Sequence, residues 1–525
     1  MVEVERNHKD RALRWTLIAA GILLVLFVTL RILVKHATPY LHDRAEDMLS
    51  SRFHGQVEIG SMDVHLLPKM ELSGSGIVLR HHGRTDVPPL IKIDHFSASA
   101  SPFSLFGKPW HIGRVELRGF HITIPPKEER GQSHVFSVKH DVPVKIDELT
   151  ADDTTLTILT DKPGKSPHEF VIHHLAMYKI GPDQPADFEA ALTNATPPGE
   201  IETKGKFGPW QADDPRTTPL NATYTFDHAD LSVFKGIAGI LSSKGKFGGP
   251  LESMEVEGET TTPDFSVDTG GHPMMLKTDF KATVDGTNGD TLLHPVIAHL
   301  GDSTLLCQGS IVKPAEGKGK EVLLDVTTQG ANIQDMLLLA VKSNQPLMTG
   351  GLFFHTRFDL PTGNEEVMKK LKLEGTFRIT KAKFTNPRVE DKIESLSQRA
   401  QGHPGEPAAH DPLAKLDGKF GLGGGIITFP QLGFAVPGAN VRVHGTFGLV
   451  SEKIDFHGDA RLEAKPSDMV KGWFKSLLLK PIDAFFRKNG ETQIPIKVTG
   501  SREHPSFGLD FGHKDEKKES QLRRP

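Results

Sequence analysis

The sequence predicts a mainly β protein: a long antiparallel β-sheet curled into an open groove, with few short helices and one N-terminal transmembrane helix. Three observations carry this. Apolar and polar residues alternate with period two, segment after segment, from Val57 to Val498. The 51 glycines and 36 prolines among 525 residues suit a chain of many strands and turns. Trp15 to Val34 reads WTLIAAGILLVLFVTLRILV, an apolar run of about the 20 residues needed to cross a bilayer core.

Composition narrows the function. The net charge is −4, from 62 basic and 66 acidic residues, so there is no basic surplus to meet the phosphates of nucleic acid. Cys307 is the one cysteine, which excludes an intrachain disulfide framework and a multi-cysteine zinc site. Thirty phenylalanines stand against three tyrosines, and phenylalanine supplies apolar area with no hydroxyl to satisfy.

The elements follow in order. Residues 1–14 form a tail with Arg6, Lys9, Arg11 and Arg14, and residues 15–34 form the anchor. Arg31 sits near the far end of the anchor, where a long side chain snorkels to the interface. The far flank carries Arg31, Lys35 and Arg44, so the charge bias favours a cytoplasmic tail. A cleaved signal peptide is the rival, but Lys35, His36 and Ala37 give no small-x-small cleavage site after the apolar run. Thr38 to Phe53 reads as a short amphipathic helix with Leu41, Ala45, Met48, Leu49 and Phe53 on one side.

From there the period is two. Val57 and Ile59, then Ile91 and Ile93, then Phe120, Ile122 and Ile124 fall on alternate positions. The same pattern places Phe226, Phe280, Phe354, Phe377, Val441, Val443 and Phe456 on the apolar side of later strands, and these are the candidate groove residues. Many strands are close neighbours in sequence, and a long antiparallel meander is the economical arrangement. Gly205-Lys206-Phe207, Gly245-Lys246-Phe247, Gly375-Thr376-Phe377, Gly418-Lys419-Phe420 and Gly445-Thr446-Phe447 share a Gly-polar-Phe form, read as a turn glycine at a strand start followed by an inward ring. Helices are expected at Asp230–Leu241, Asn332–Val341 and Val389–Ala400, with a loop over Gln401–Pro412. Asp468–Arg487 is a second amphipathic element broken at Pro481. It either caps the sheet or touches a membrane or partner through Trp473, Phe474, Leu478, Phe485 and Phe486.

A sheet with one apolar face that neither closes nor packs on a second sheet leaves that face exposed. Soluble monomers tolerate only a few hundred Å² of contiguous apolar surface. Each fully buried large apolar side chain is worth roughly 1.5–3 kcal/mol relative to exposure. Something apolar is therefore expected in the trough, and beside a membrane anchor lipid acyl chains are the evident filler.

Other chemistries find little support. The 26 histidines include the adjacent pairs His81-His82 and His173-His174, and neighbours on a strand point to opposite faces, so neither pair serves one metal. No HExxH, P-loop or GxSxG is present. Gly74-Ser75-Gly76 and the glycines of 421–425 read as turns, as do Asp152-Asp153 and Asp213-Asp214. Asp285, Asn288 and Asp290 sit in VDGTNGDT, which lacks the full twelve-residue calcium pattern. No catalytic residue, metal ligand or cofactor is assigned.

With these residues in view, Phe53 to Arg80 and Pro88 to Pro125 resemble the N-terminal module of the bacterial AsmA family: an anchor, an alternating strand after a helix, and a closing V-x-L-x-G-x-x-I. Gly418 to Gly512 resembles an AsmA-like C-terminal region. On that basis the chain divides into the tail and anchor above, an AsmA-like N-terminal module (35–130), a middle β-groove (131–330), an AsmA-like C-terminal region (331–512) and a charged tail (513–525). The resemblance implies an inner-membrane protein of a diderm envelope, single-pass, with its bulk in the periplasm. It implies architecture related to bridge-like lipid transfer proteins and a role in phospholipid movement or outer-membrane homeostasis. The expected partners are phospholipids, the inner membrane, and the outer membrane or an envelope partner protein, with no nucleic acid. The rival reading is a structural or assembly factor that holds outer-membrane protein strands by edge pairing.

Overall fold

The computed structural model describes residues 56–65, 70–80, 88–101, 110–124, 144–158, 168–405, 414–470 and 486–510, less a few short breaks, together with 42, 43, 46, 47 and 50. The proposed anchor at 15–34, most of Asp468–Arg487 and the tail from 511 lie outside the described residues. Among those described, no helix is long and apolar enough to cross a membrane. Residues 42, 43, 46, 47 and 50 are helical, in line with the amphipathic helix expected there.

The chain is mainly β and splits into two compact units, each described by itself. The first runs to Phe226 and includes Lys246–Glu252; the second comprises Asp227–Gly245 and Ser253 onward. The first carries β1 (Gln56–His65), β2 (Met70–Arg80), β3 (Ile91–Ala100), β4 (Trp110–Ile124), β5 (Val144–Ile158), β6 (His168–Ile180), β7 (Ala186–Ala195), β8 (Pro198–Phe207) and most of β9 (Pro219–Asp230). Strands β1 to β4 pair antiparallel in sequence order, as do β5 to β8.

The join between those runs departs from the expected antiparallel meander. Strands β4 and β5 are parallel, with Trp110 opposite Val144 and Ile124 opposite Ile158. Parallel neighbours need a long return connection, and residues 125–143 supply the length. The period-two pattern is the same for both directions, so alternation did not reveal it. In this unit Ile59, Ile77, Ile93 and Phe120 stand opposite one another in register, and Val57, Ile59, Met62, Leu79 and Leu90 form a buried cluster.

The second unit begins with β10 (Ile237–Ala238) and the start of β11 (Ile240–Pro250). It continues through β12 (Met254–Val267), β13 (Met274–Val284), β14 (Thr291–Leu300), β15 (Ser303–Val312), β16 (Glu321–Thr328), β17 (Ala331–Asn332) and β18 (Met348–Leu360). It ends with β19 (Lys372–Phe384), β20 (Ala414–Gly423), β21 (Ile426–Val436), β22 (Ala439–Gly448), β23 (Lys453–Leu462), β24 (Arg487–Lys488), β25 (Glu491–Ser501) and β26 (Pro505–Leu509). Antiparallel pairing runs from β12 through β16 to β18, then through β23 to β25 and β26. In neither unit does a pairing close the sheet: β1 pairs with β2 alone and β26 with β25 alone among the described residues.

Among the described residues of the second unit, helices are few and short: α1 (Ile333–Ala340), α2 (Val367–Lys370) and α3 (Pro387–Ala400). Two of these match expectation. The helix expected at Asp230–Leu241 does not form; a single 3-10 turn at Leu231–Val233 gives way to β10. Gly236 and Gly239 there have φ of +96° and +135°, which a right-handed helix cannot contain. α1 is anchored by a buried contact: Ser303 Oγ donates to Asp335 Oδ2 at 2.6 Å. α3 packs Ile393 and Ala400 against Ile379, Ala382, Val436 and Ala439, covering one end of the apolar face.

Candidate functional site

The candidate site is the apolar face of β18 to β23, all within the second unit. Phe354, Phe377, Val441, Val443 and Phe456 share this face, each half-buried, while Phe353, Arg378, Arg442, His444 and Asp455 on alternate positions are exposed. Phe354 stands opposite Phe377, and Val441 opposite Phe434 and Ala460. Phe280 lies half-buried on β13 of the same unit, opposite Gly258; Phe226 is half-buried on β9 in the first. The structure thus groups five of the seven candidates and leaves two on other strands. Trp473, Phe474, Leu478 and Phe485 lie outside the described residues, and Phe486 is half-buried just before β24.

Three of the five Gly-polar-Phe tripeptides build this face, though not in the way the sequence suggests. All five glycines lie inside strands β8, β11, β19, β20 and β22 rather than at turns. Residues two apart share a face, so each glycine leaves bare backbone beside its phenylalanine. Gly418 stands opposite Phe377, Gly375 opposite Phe420, and Gly445 between Phe429 and Phe456. A Cβ on Gly418 or Gly375 would lie 3.0 Å from a carbon of the facing ring. Gly375, Gly418 and Gly445 are each a socket into which a facing ring settles. Rings on strands that are not adjacent then meet over the gap: Phe429 and Phe456 have centroids 5.8 Å apart across β22, and Phe377 meets Phe429 edge-on at 6.4 Å across β20. Phe420 extends the strip, 6.2 Å from Phe377. The result is a band of half-buried aromatic carbon across five strands, β19 to β23, with α3 at one end of the face. Gly74 of the first unit, expected in a turn, is also a mid-strand socket, under Phe96 of β3.

The opposite face is polar but not purely so. Phe353 is 56% exposed and Leu292 52%. Shallow depressions of about 530 and 450 Å³ in the second unit draw mostly on this face, with His355, Arg378 and Lys419 in one and His294, Gln308 and Arg357 in the other. A third, of about 490 Å³, lies in the first unit among Glu189, Glu202, Lys204 and Thr225.

The titratable candidates resolve into local pairs. His174 Nδ1 donates to Asp152 Oδ1 at 2.7 Å, while His173 is 2.8 Å from the Thr193 hydroxyl; a register shift between Ile172 and His174 leaves both rings exposed with separate partners. His81-His82 lies outside the described residues. Asp152-Asp153, expected in a turn, lies within β5, where Asp153 adopts φ of 54°. Gly424 and Gly425 do form the expected turn, with φ of 59° and 75°. In the calcium-like loop the Lys320 ammonium donates to the Gly289 carbonyl and lies 3.8 Å from Asp290 Oδ1. Burial holds the Lys320 ammonium below its usual range. Among the described residues no three His, Cys, Asp or Glu groups are placed to hold a metal. Cys307 is half-buried, and burial raises its thiol above the ordinary value.

His457 is held at both ring nitrogens. Its Nδ1 faces Asp510 Oδ2 at 2.7 Å and its Nε2 faces Asp455 Oδ1 at 3.0 Å. Only the imidazolium donates from both nitrogens, and the Asp510 bond, then Asp455, holds the ring above its usual value.

No family model matches the chain, and no curated protein or solved structure matches it either.

Proposed function

We propose that this protein is a membrane-anchored lipid carrier of the AsmA type, binding phospholipid acyl chains along the apolar face of its sheet, curled as a groove, and moving them between envelope membranes. The observation that carries the reading is the aromatic band of β19 to β23. Phe377, Phe420, Phe429 and Phe456 are each half-buried, and the glycine opposite each ring keeps the floor low and continuous. Such a surface is costly in water and suited to hydrocarbon, since about 0.8 kcal/mol accompanies each buried methylene. It offers no hydrogen-bonding pattern for a defined polar substrate, so the proposed role is binding and conduction without catalysis. The proposed setting is the inner membrane with the bulk of the chain periplasmic, tethered through 15–34, and it rests on the sequence pattern of both ends.

Native mass spectrometry of the detergent-extracted full chain tests this. Adducts with phospholipid masses are expected, and photo-crosslinkers at Phe354 or Val443 should label lipid. A chain that carries no lipid, with crosslinks at those positions to peptide alone, sinks the proposal in favour of the assembly-factor reading.

A further inference from the structure

The outer edge of β1 is occupied by side chains in place of a strand. In an antiparallel pair the backbone N–H and C=O of one residue point to the same side, alternating along the strand. Val57 and Ile59 point away from β2, and three helical residues meet them. Ser50 Oγ accepts from the Val57 amide at 3.0 Å, and Glu46 Oε1 accepts from the Ile59 amide at 2.6 Å. His42 Nε2 donates to the Ile59 carbonyl at 2.7 Å. Residues 42, 46 and 50 are spaced four apart, so they fall on one side of a helix. An unguarded edge is a template for another strand.

We propose that His42, Glu46 and Ser50 form an edge guard whose role is to stop β1 from pairing with β1 of a second copy of this chain. The strand suits such self-pairing. Set antiparallel about Gly60, it places Val57 opposite Asp63, Glu58 opposite Met62 and Ile59 opposite Ser61. No like charges face each other, the outward residues 57 and 59 meet outward partners, and the contact is isologous, closing as a two-fold dimer. Nothing in β1 itself opposes the pairing, so the guard supplies the opposition.

The test uses the full chain in detergent micelles, with Glu46→Ala/Ser50→Ala compared with Glu46→Gln/Ser50→Thr, which keeps both acceptors. In the alanine pair, exchange at the Val57 and Ile59 amides should quicken by about tenfold, while Glu58, which faces β2, keeps its rate. Sedimentation velocity should show a dimer that grows with concentration, and the parent and the conservative pair should stay monomeric. Unchanged exchange, an alanine pair that is monomeric at every concentration, or a dimer formed equally by the parent or the conservative pair overturns the proposal. If the double variant fails to fold, Ser50→Ala gives the same readouts at the Val57 amide and in sedimentation.

Discussion

At the residue scale, the glycines of the Gly-polar-Phe motif act by what they lack. A Cβ at Gly445 would come within 2.0 Å of the Asp455 carbonyl oxygen and 2.8 Å of the Phe456 ring. The Asp455 carbonyl belongs to the paired strand and cannot withdraw without opening the β22–β23 ladder. Gly445→Ala should destabilise the second unit by about 1–3 kcal/mol, the usual range for overpacking. Gly423 ends β20 with nothing within 4 Å of its would-be Cβ. Gly423→Ala should therefore change stability by less than about 0.5 kcal/mol. Thermal unfolding of the two variants side by side checks the pair, and equal losses would remove the socket account.

At the element scale, the last strands are held by a titratable clasp. His457 on β23 reaches Asp510, just beyond β26, and the Asp510 amide donates to the Pro495 carbonyl of β25 at 3.1 Å. The His457 ring is raised above its ordinary 6.5, first by Asp510. A group whose folded value is raised contributes its full stabilisation below the unfolded value and loses it as pH climbs through the folded one. Protection of the Ser506–Leu509 amides, measured as exchange slowed relative to the intrinsic rate at each pH, should thus be greatest near pH 6 and fall above neutrality. His457→Gln should flatten that dependence; a strand equally protected from pH 6 to 9 in both proteins would show that the clasp is idle. β26 is short and opens with a proline, two features that also blunt an edge strand.

At the scale of the whole molecule, the lipid proposal predicts a difference between faces. Phe377 and Thr376 are neighbours on β19, yet the first is half-buried in the aromatic band and the second is exposed. Thr376 lies opposite His355 and Lys419, which accept a carboxylate without like-charge repulsion. Phe377→Asp should fold, since its side chain is only half-buried, and should abolish copurifying phospholipid. Thr376→Asp should retain it at the parent level. Lipid content measured after identical extraction decides the matter, and equal loss or equal retention removes the directional argument. Arg378 and Arg442 are poorer controls, because they stand opposite Asp417 and Asp459 and an aspartate there sets like charges face to face.

Period two was enough to find the strands, because a half-buried strand writes its burial directly into alternate residues. It also put Phe354, Phe377, Val441, Val443 and Phe456 on one face, since a parity assignment survives wherever no bulge intervenes. The glycine sockets were visible as a repeated tripeptide but not interpretable, because which ring faces which glycine depends on register between strands. Strand direction was equally hidden: β4 and β5 alternate in the same way whether they run parallel or antiparallel. The guard on β1 left only a faint trace, in His42, Glu46 and Ser50 at intervals of four, since its meaning lies in backbone groups they meet across the fold. The sequence by itself determined a mainly β chain with an apolar and a wet face; only the tertiary structure decided which strands are neighbours, in what direction, and hence which side chains join into a surface. Burial is a local preference of each residue, whereas pairing is a relation between distant ones, and one chain read alone records the first far more plainly than the second.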